Sequence, residues 1–472
     1  MTYDVVVVGA GTAGMPCAIA LAEGGASVLL VEQDAAVGGT LHLSAGHMTG
    51  AGSRRQRAAG VADSPDAHFD DVWRISHGKA DPAVVRIAVD EAPRTLDWLD
   101  DLGFPYPDVH PTVADDHEPY SAPRAFWGPE LGVSILRVVK PRLEQLVEDG
   151  RIELRLQHRV TGLLVEDGRV AGVRAEGPGG PVELRATAVA LTSGGCTGDP
   201  AVFAQLHPGQ RPLLGGRHTS TGQVTLAALA AGAAFRGAEH YLSSMGGIES
   251  PVGSGLTEVY DGLAIMNPYQ RPVRELWVNA AGERFIAEDD PSIDRLERAQ
   301  AAQGGHVWIV CDEASLSEES PPVMGWSLEM LREAAARGEG AWSADDIPSL
   351  ARRAGLDPDG LARTVAAWNE ACRTGADPLG RRLLDQPVAT APFYAIATQG
   401  FTVIAWGGLA VDGELRVLDA GGTPIPGLYA AGEAIGAGAL MGDAYCSGMM
   451  VTPALGLGRR LGRQLAARRA AL

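Results

Sequence analysis

The chain has 472 residues and a formal net charge of −19. This excess of acidic groups argues against a nucleic-acid-binding or anionic-membrane-binding protein, because both surfaces require clustered Lys and Arg. No apolar run approaches the roughly 18 residues of a membrane helix. The five cysteines show no CxxC or Cys/His spacing typical of a metal site. We therefore expect a cytoplasmic protein with free thiols, no metal and no membrane span.

The N-terminal segment predicts a strand–helix–strand unit. Tyr3–Val8 is an apolar, β-branched run, which is typical of a strand buried on both faces. Gly9–Gly14 follows with the pattern G-x-G-x-x-G, Met15–Glu23 predicts a helix rich in small residues, and Ala26–Val31 predicts a second strand that Glu32 closes. Strand, glycines, helix, strand and acid thus occur in the order of a dinucleotide-binding unit.

Each of these residues has a physical role in binding a dinucleotide. Gly9 permits a tight turn, Gly11 lets the backbone approach a pyrophosphate, and Gly14 lets the helix pack closely on the sheet. The helix N-terminus offers free N–H groups and the positive end of its dipole to the phosphates. Glu32 is placed to bind ribose hydroxyls.

Later segments favour FAD over NAD. Gly38-Gly39-Thr40 follows the ribose acid and resembles the flavoprotein pattern in which the chain next passes the isoalloxazine. Ala188–Gly195 resembles a second flavin fingerprint, and Gly427–Glu433 resembles a third, in which a Gly-Glu pair closes on the ribitol and pyrophosphate. Between the first two, Leu163–Arg174 predicts a hairpin. The candidate FAD-binding residues are Gly9, Gly11, Thr12, Ala13, Gly14, Glu32, Gln33, Gly38, Gly39, Thr40, Val160, Thr192, Ser193, Gly194, Gly432 and Glu433.

The chain resembles the fumarate reductase and 3-ketosteroid Δ1-dehydrogenase group of flavoproteins along nearly its whole length. Thr219–Ala233 resembles the start of that group's T-G-D-G helix, with Gln223 where Asp is usual. Trp277–Glu288 resembles its V-N-x-x-G-x-R-F-x-x-E segment, and Asp357–Arg381 resembles a late helix of its cap. Gly407–Asp419 resembles the strand pair before the third fingerprint.

The resemblance implies an α/β fold with a Rossmann-like, dinucleotide-binding FAD domain of residues 1–237 and 390–472. An α+β cap of residues 238–389 is inserted into it, and the substrate cleft lies between the two. Thr49–Asp66 is polar and rich in Gly and Ala, which predicts a mobile loop. Some relatives attach FAD through a His shortly after the Gly-Gly pair. Here Thr40 stands at that place, with His42 and His47 nearby, so we expect non-covalent FAD.

Charged groups that fumarate chemistry requires are replaced. In fumarate and succinate enzymes a His, an Arg and a second His bind two carboxylates and move a proton, and ungapped comparison puts Ser244, Ser292 and Ile404 at their places. No neutral side chain matches the bidentate recognition of a carboxylate by Arg. We therefore expect fumarate to be a poor substrate, unless a one-residue slip brings Arg295 or His240 into the site.

The C-terminal segment resembles the ketosteroid dehydrogenases instead. Met441–Gly448 is similar to their M-G-x-x-Y-x-x-x-G stretch, one residue shorter between Tyr445 and Gly448. In that group the Tyr hydroxyl and the Gly N–H bind the substrate ketone. Loss of a proton α to a carbonyl builds charge on the oxygen, which two preorganised donors stabilise. The resemblance implies these roles for Tyr445 and Gly448.

The general base is less defined by the sequence. The group's base position holds Ser292, which is a poor base, and Tyr120, His240 and Tyr241 are the candidates that remain; His240 has the most suitable ordinary pKa. We predict an FAD-dependent dehydrogenase that desaturates an apolar, cyclic ketone next to its carbonyl. The alternatives are an enone or fumarate-type reductase, an enzyme that oxidises an amine or an alcohol, and a non-catalytic flavin-binding protein. We expect an external electron acceptor, namely O2, a quinone or a redox protein.

Overall fold

The computed structural model describes residues 2–114, 117–259 and 261–468. Its strands are β1 Thr2–Val8, β2 Val28–Val31, β3 Met48–Thr49, β4 Ala125–Phe126, β5 Ile152–Arg155, β6 Arg159–Glu166, β7 Arg169–Gly177, β8 Gly180–Leu191, β9 Leu213–Leu214, β10 Phe235–Arg236, β11 Ser244–Gly247, β12 Leu276–Val278, β13 His306–Asp312, β14 Ala341–Ala344, β15 Phe393–Thr402, β16 Gly408–Leu409, β17 Arg416–Leu418 and β18 Pro424–Ala430.

The α-helices alternate with these strands, as an α/β fold requires. They are α1 Gly14–Glu23, α2 Arg54–Ala58, α3 Pro65–Ile75, α4 Pro82–Asp101, α5 Gly132–Glu148, α6 Pro200–Leu206, α7 Gln223–Ala230, α8 Ile293–Ala302, α9 Leu328–Arg337, α10 Ile347–Ala354, α11 Pro358–Thr374, α12 Ala437–Met441 and α13 Val451–Arg468. Short 3-10 turns occupy Gly39–His42, Ala238–His240, Glu313–Ser315 and Gly432–Ile435.

The FAD domain is built on a sheet of order β17-β18-β8-β1-β2-β5, with the β6–β7 hairpin paired to β8. Strands β18, β8, β1, β2 and β5 run parallel, and the predicted βαβ unit is their centre. Val5–Val8 are at most 3% exposed, because helices cover both faces of a parallel sheet. Helix α13 crosses α1 in close contact, since a Cβ at Gly458 would lie 2.2 Å from the carbonyl oxygen of Ala13.

The cap has its own mixed sheet, in which β15 lies between β11 and β13 and also pairs with β14 and β9. The α/β fold with an inserted cap is thus confirmed, but the cap sheet extends beyond residues 238–389 on both sides. The resemblance placed β15 in the FAD domain, whose second part was expected to begin at residue 390. Its register with β13, from His306–Gln399 to Asp312–Phe393, joins it to the cap.

The segment that was predicted to be a mobile loop, Thr49–Asp66, is ordered. It contains α2, which Ser53 caps by accepting a hydrogen bond from the Gln56 N–H, and both residues are at most 1% exposed. The Thr49 N–H donates to Thr452 Oγ1 over 2.8 Å, which ties the segment to α13. Polar composition predicted solvation here, but buried hydrogen bonds satisfy these polar groups instead.

All five cysteines are free thiols. No helix among the described residues is long and apolar enough to cross a membrane. In the same part of the chain, no group of three or more His, Cys, Asp or Glu side chains is placed to hold a metal ion.

Candidate active site

A cavity of about 490 Å³ lies between the FAD domain and the cap. Two parts of its wall differ in composition. The glycine-rich wall comprises Gly9, Gly11–Ala13, Gly39–Thr40, Thr192–Gly194 and Gly432–Glu433. The cap wall comprises Ser244, Met245, Val259, Leu263–Asn267, Gln270, Ile293, Glu297, Met324 and Phe401. Tyr445–Gly448 and His117 also line the cavity, beside the cap wall.

The glycine-rich wall exists because side chains are excluded from its turns. Gly9 has φ +96°, and a Cβ there would lie 2.7 Å from the carbonyl oxygen of Thr192. A Cβ at Gly14 would lie 1.7 Å from the Gly9 oxygen, so that residue fixes how closely α1 approaches the turn. These two positions accept glycine alone. The strand-to-helix turn therefore presents bare backbone to the cavity.

A buried carboxylate, that of Glu32, and a partly buried one, that of Glu433, flank this backbone. Glu32 accepts hydrogen bonds from the Ala10 N–H at 2.7 Å and from the Asp34 N–H at 2.9 Å, and its burial raises its pKa. Glu433 accepts from the Ala405 N–H at 2.8 Å, and burial raises its pKa to about 7. Both side chains are thus held at fixed positions on the cavity wall.

The residues of the glycine-rich wall fit FAD. A Cβ at Gly11 would meet no atom nearer than the Gly39 Cα at 3.8 Å, and one at Gly194 none nearer than Ser220 Oγ at 3.7 Å. Backbone therefore borders open space at both glycines, and an N-terminal helix end with bare amides suits a pyrophosphate. A fixed carboxylate at the end of β2 suits ribose hydroxyls.

Most of the predicted cofactor residues line the cavity. They are Gly9, Gly11, Thr12, Ala13, Glu32, Gln33, Gly39, Thr40, Val160, Thr192, Ser193, Gly194, Gly432 and Glu433. Gly14 and Gly38 do not. Gly14 packs against Gly9, and Gly38, at φ +122°, shapes the turn by donating its N–H to the Ala10 oxygen at 2.9 Å. Of the nearby histidines, His47 lines the cavity and His42 does not.

Tyr445 and Gly448 both lie on the wall, in a turn that is held from behind. Gly448 has φ +75°, and a Cβ there would lie 2.6 Å from the Thr49 nitrogen, so the turn packs directly on β3. The hydroxyl of Tyr120 donates to the Ser447 oxygen at 2.6 Å. The Tyr445 hydroxyl donates to the Leu242 oxygen at 3.2 Å, and burial raises its pKa, so it keeps its proton.

The three residues that the sequence suggested as the base are placed elsewhere. Tyr120 supports the Tyr445–Gly448 turn through its contact with Ser447 and does not line the cavity. His240 also lies off the wall and pairs with Glu239 at 3.6 Å. Tyr241 packs against Trp406, with 6.5 Å between ring centroids, in the core beneath the wall. The structure therefore does not support any of the three as a base, because none borders the cavity.

The positions that fumarate chemistry would use carry no charge into the cavity. Ser244 and Ile404 line it, whereas Ser292 caps α8 and donates to Glu118 Oε2 at 3.0 Å. Arg295 is 61% exposed and pairs with Asp290 at 2.6 Å, so no register slip brings it into the cavity. Among the described residues of the wall, Arg217 is the one Arg or Lys, and Asp34 holds it at 2.6 Å.

Two site residues were missed by the sequence reasoning. His117 and Glu297 both line the cavity, with 3.6 Å between His117 Nδ1 and Glu297 Oε1. The imidazole stacks on the Tyr445 ring, with centroids 4.6 Å apart and planes 11° apart. One signal was present: Ile293, Leu296, Glu297 and Gln300 share the buried face of α8 at i, i+3, i+4 and i+7. An acid on an otherwise buried helix face is unusual and points to a site.

The FAD binding domain family matches residues 4–448. The chain belongs to this family. It is 29% identical over 444 residues to a probable fumarate reductase of Shewanella frigidimarina, covering 92% of this chain and 70% of that protein. It also superposes on 3-ketosteroid-Δ4-(5α)-dehydrogenase of Rhodococcus jostii RHA1, with a TM-score of 0.70, 25% identity and coverage of 98% and 97%. Its fold matches 3-ketosteroid Δ1-dehydrogenase of Sterolibacterium denitrificans, with a TM-score of 0.80, 20% identity and 99% of each chain covered.

The predicted resemblance to fumarate reductases and ketosteroid dehydrogenases is confirmed. The chain is an FAD-dependent oxidoreductase of this group, and the alternative of a non-catalytic flavin-binding protein is not retained. The group contains members named as reductases and members named as dehydrogenases, so membership alone leaves the substrate and direction open. Those must be argued from the cavity itself.

Proposed function

We propose that this FAD-binding-domain protein exchanges hydrogen across the carbon–carbon bond next to the carbonyl of an apolar ketone. Desaturation of the ketone is the forward reaction, and reduction of the enone is its reverse, since one site serves both directions. One observation carries the proposal: apolar side chains dominate the cap wall, and no Lys or Arg occurs on it within the described chain. A dicarboxylate needs such cations, whereas a ketone needs only neutral donors.

The cap wall suits a hydrophobic ring system. Met245, Met266 and Met324 line it together with Ile293 and Phe401. Methionine is flexible and polarizable, so a surface with several methionines adapts to ligands of different outline. Burial of apolar substrate surface at roughly 25 cal/mol per Å² supplies binding free energy without charge. The fold shared with ketosteroid dehydrogenases supports a cyclic ketone as the first compound class to test.

Tyr445 and Gly448 would bind the ketone oxygen. The 3.2 Å bond from the Tyr445 hydroxyl to the Leu242 oxygen is longer than the usual 2.7–2.8 Å for O–H···O. A substrate oxygen that gains negative charge is the stronger acceptor and would capture this hydroxyl. FAD, when bound, takes up or returns the hydride of the β carbon. Electrons then pass to an external acceptor, for which O2, a quinone or a redox protein are the candidates.

We propose that FAD is held without a covalent bond. Thr40 occupies the wall where relatives with covalent flavin carry His, and the His42 ring lies off the wall with Nε2 3.2 Å from the Val37 oxygen. Acid precipitation of the purified protein should release yellow flavin into the supernatant. Flavin that stays in the pellet would contradict this and would point to His47, which does line the cavity.

Substrate class is tested by anaerobic titration of the oxidised holoenzyme. Cyclohexanone, 2-decalone and a saturated 3-ketosteroid are added separately while the flavin absorbance is followed. At least one should bleach the flavin and yield its enone. In the reverse assay with a reduced dye, the enone should be reduced, and fumarate should be reduced far more slowly than the 1–10³ per second typical of enzymes. Fast turnover of fumarate with inert ketones would overturn the proposal.

A further inference from the structure

Two titratable side chains beside the cap wall have no role in the binding steps above. Glu297 is buried, with 4% of its side chain exposed, and His117 is 23% exposed and faces it across 3.6 Å. They come from different parts of the chain. Glu297 lies on α8 of the cap, and His117 is the first residue of the described range 117–259. Burial raises the pKa of Glu297, and the neighbouring His117 lowers it.

We propose that His117 is the acid–base group that exchanges the proton at the α carbon of the substrate, with Glu297 as its positioning residue. This rests on the ketone chemistry proposed above. The stacking of His117 on Tyr445 at 4.6 Å places the base beside the group that binds the ketone oxygen. An α proton lies one bond from the carbonyl carbon, so the base and the oxygen donor must be neighbours.

The pair has the arrangement that makes histidine an effective base. Histidine is the side chain whose ordinary pKa lies nearest to neutral pH. The His117 Nδ1 faces Glu297 Oε1, so a carboxylate there selects the tautomer with the proton on Nδ1 and stabilises the imidazolium that forms. Nε2 is then the nitrogen that takes the proton. None of the residues that the sequence suggested as base has this position on the wall.

The step balances as follows. The Cα–H bond of the ketone breaks and its proton passes to His117 Nε2, while Tyr445 and Gly448 stabilise charge on the oxygen. The electron pair left at the α carbon forms the C=C bond as a hydride leaves the β carbon, and FAD held by the glycine-rich wall would be the two-electron oxidant that accepts this hydride. In enone reduction, His117 returns the proton. Glu297 changes neither bond.

Proton exchange separates this step from hydride transfer. The holoenzyme is fully reduced with dithionite under argon, so desaturation is blocked, and is incubated in D2O with whichever of the three ketones bleaches the oxidised flavin. Wild-type protein should incorporate deuterium at the α carbon. His117→Asn should slow both this exchange and desaturation by about 10²–10⁴-fold, the usual contribution of a general base. Flavin content and melting temperature should stay close to wild type. His306→Asn, at an exposed histidine of β13, is the matched control.

Glu297→Gln tests the pairing without removing the base. Among the described residues, the charged or titratable groups that face this pair include Tyr445, Asp294 and Arg298. A carboxylate raises the pKa of a neighbouring imidazole. Its loss should therefore move the acid limb of the kcat–pH profile to lower pH, because the base stays deprotonated further down. If Glu297 had a merely structural role, the substitution would lower kcat or raise KM without moving this limb.

The failures are distinguishable. If no ketone bleaches the wild-type flavin, the proposed function falls and this inference falls with it. If a ketone bleaches the flavin but His117→Asn keeps deuterium exchange and desaturation within threefold of wild type, this inference alone is wrong. An unmoved acid limb in Glu297→Gln would refute the role of Glu297.

Discussion

The glycine-rich wall and the cap wall border one cavity, yet their chemistry is encoded differently. The glycine-rich wall presents backbone, and glycines keep side chains out of its turns, as at Gly9 and Gly14. On the cap side, the proposed chemistry uses the side chains of His117, Glu297 and Tyr445, which reach the cavity from three separate segments. Short sequence motifs therefore specify the glycine-rich wall, whereas only the tertiary fold brings the residues of the cap side together.

The two walls therefore differ in how freely their residues can be substituted. Short motifs with fixed spacing specify a wall of bare backbone such as the glycine-rich wall, so the same kind of wall recurs wherever the cofactor is the same. Side chains contributed by a cap and by long connections can change one at a time without disturbing the glycine-rich wall. The absence of Lys and Arg from the cap wall in the described residues shows how far this side can depart from a dicarboxylate site within the same fold.

The largest expected effect comes from breaking the glycine-rich wall at Gly11. Its added Cβ would meet no atom nearer than 3.8 Å, so Gly11→Val should fold normally. The side chain would instead occupy space needed by the pyrophosphate. We expect colourless protein with wild-type far-UV circular dichroism, and FAD affinity lower by at least about 100-fold, or about 2.8 kcal/mol.

Gly179→Val is the control, because no atom lies within 4 Å of a Cβ at that position and it is far from the cavity wall. It should remain yellow. A Gly11→Val protein that retains stoichiometric FAD would show that the backbone at this turn does not approach the cofactor. The glycine-rich wall that the first motif predicts would then be in the wrong place.

The sequence predicted the fold and the glycine-rich wall well because their signals are local. A strand, a glycine turn, a helix and a second strand within thirty-odd residues predict a βαβ unit, and the structure pairs β1 with β2 in parallel. The boundary of the cap was harder, since β15 pairs with cap strands far away in sequence. Pairing of distant strands leaves no local trace beyond alternation.

The catalytic side could be predicted only in part. Tyr445 and Gly448 were found because they stand in one short motif, and the structure places both on the cavity wall. His117 carries no motif, and its partner Glu297 is visible only as an acid on the buried face of α8. His240 was favoured because histidine has a suitable ordinary pKa. All histidines share that ordinary value, however, and a general base must also lie within reach of the substrate, whereas His240 pairs with Glu239 off the cavity wall.

A loss of rate with the cofactor retained is expected from Tyr445→Phe, which removes one hydroxyl on the cap side and little volume. Flavin should still bind, since Tyr445 is not part of the glycine-rich wall. Loss of one oxyanion donor typically lowers the rate by about 10²–10³-fold, or roughly 3–4 kcal/mol. The fall should appear in kcat as well as in kcat/KM, because the hydrogen bond strengthens toward the transition state.

Turnover per bound flavin is the measurement for this variant. Loss of the bond to the Leu242 oxygen should also destabilise the fold by about 1 kcal/mol, and a rate per flavin is insensitive to that loss. Retention of more than about half of the wild-type rate would contradict a donor role for Tyr445. It would also weaken the case that a ketone oxygen binds at this turn.

The smallest effect concerns the ion-pair cluster that joins the two sides near the cap wall. Asp443 lies two residues before Tyr445 and pairs with Arg298, next to Glu297 on α8, at 3.2 Å. His77 Nδ1 lies 3.0 Å from Asp443 Oδ1, and Lys79 also pairs with this carboxylate. Hydrogen bonds from Lys79, His77 and Arg298 hold the pKa of Asp443 far below its ordinary value, against the opposing effect of burial. The cluster thus connects the Tyr445 turn to the helix that carries Glu297.

Asp443→Asn should lower the free energy of unfolding by about 1–3 kcal/mol at pH 7, the usual range for hydrogen bonds to a charged group. Lys79 and His77 are nearly half exposed, so the lower part of that range is expected. A carboxyl with a depressed native pKa stabilises the fold above its ordinary pKa of about 3.9 and loses this contribution as the pH falls through the native value. Wild type and variant should therefore differ most above about pH 5, and the difference should shrink progressively as the pH falls below about 4.

Glu414→Gln serves as the control, because the Glu414–Arg468 pair is about as exposed as an ordinary surface pair, at 42% and 41%, and should contribute less than about 0.5 kcal/mol. Urea unfolding at several pH values measures all three proteins. The difference in the free energy of unfolding between wild type and Asp443→Asn would persist undiminished at pH 3 only if the carboxylate charge did not contribute. In that case the packing of the Asp443 side chain, and not its charge, would stabilise the cluster. The joint between the catalytic turn and α8 would then depend on packing, and protonation of Asp443 could not loosen it.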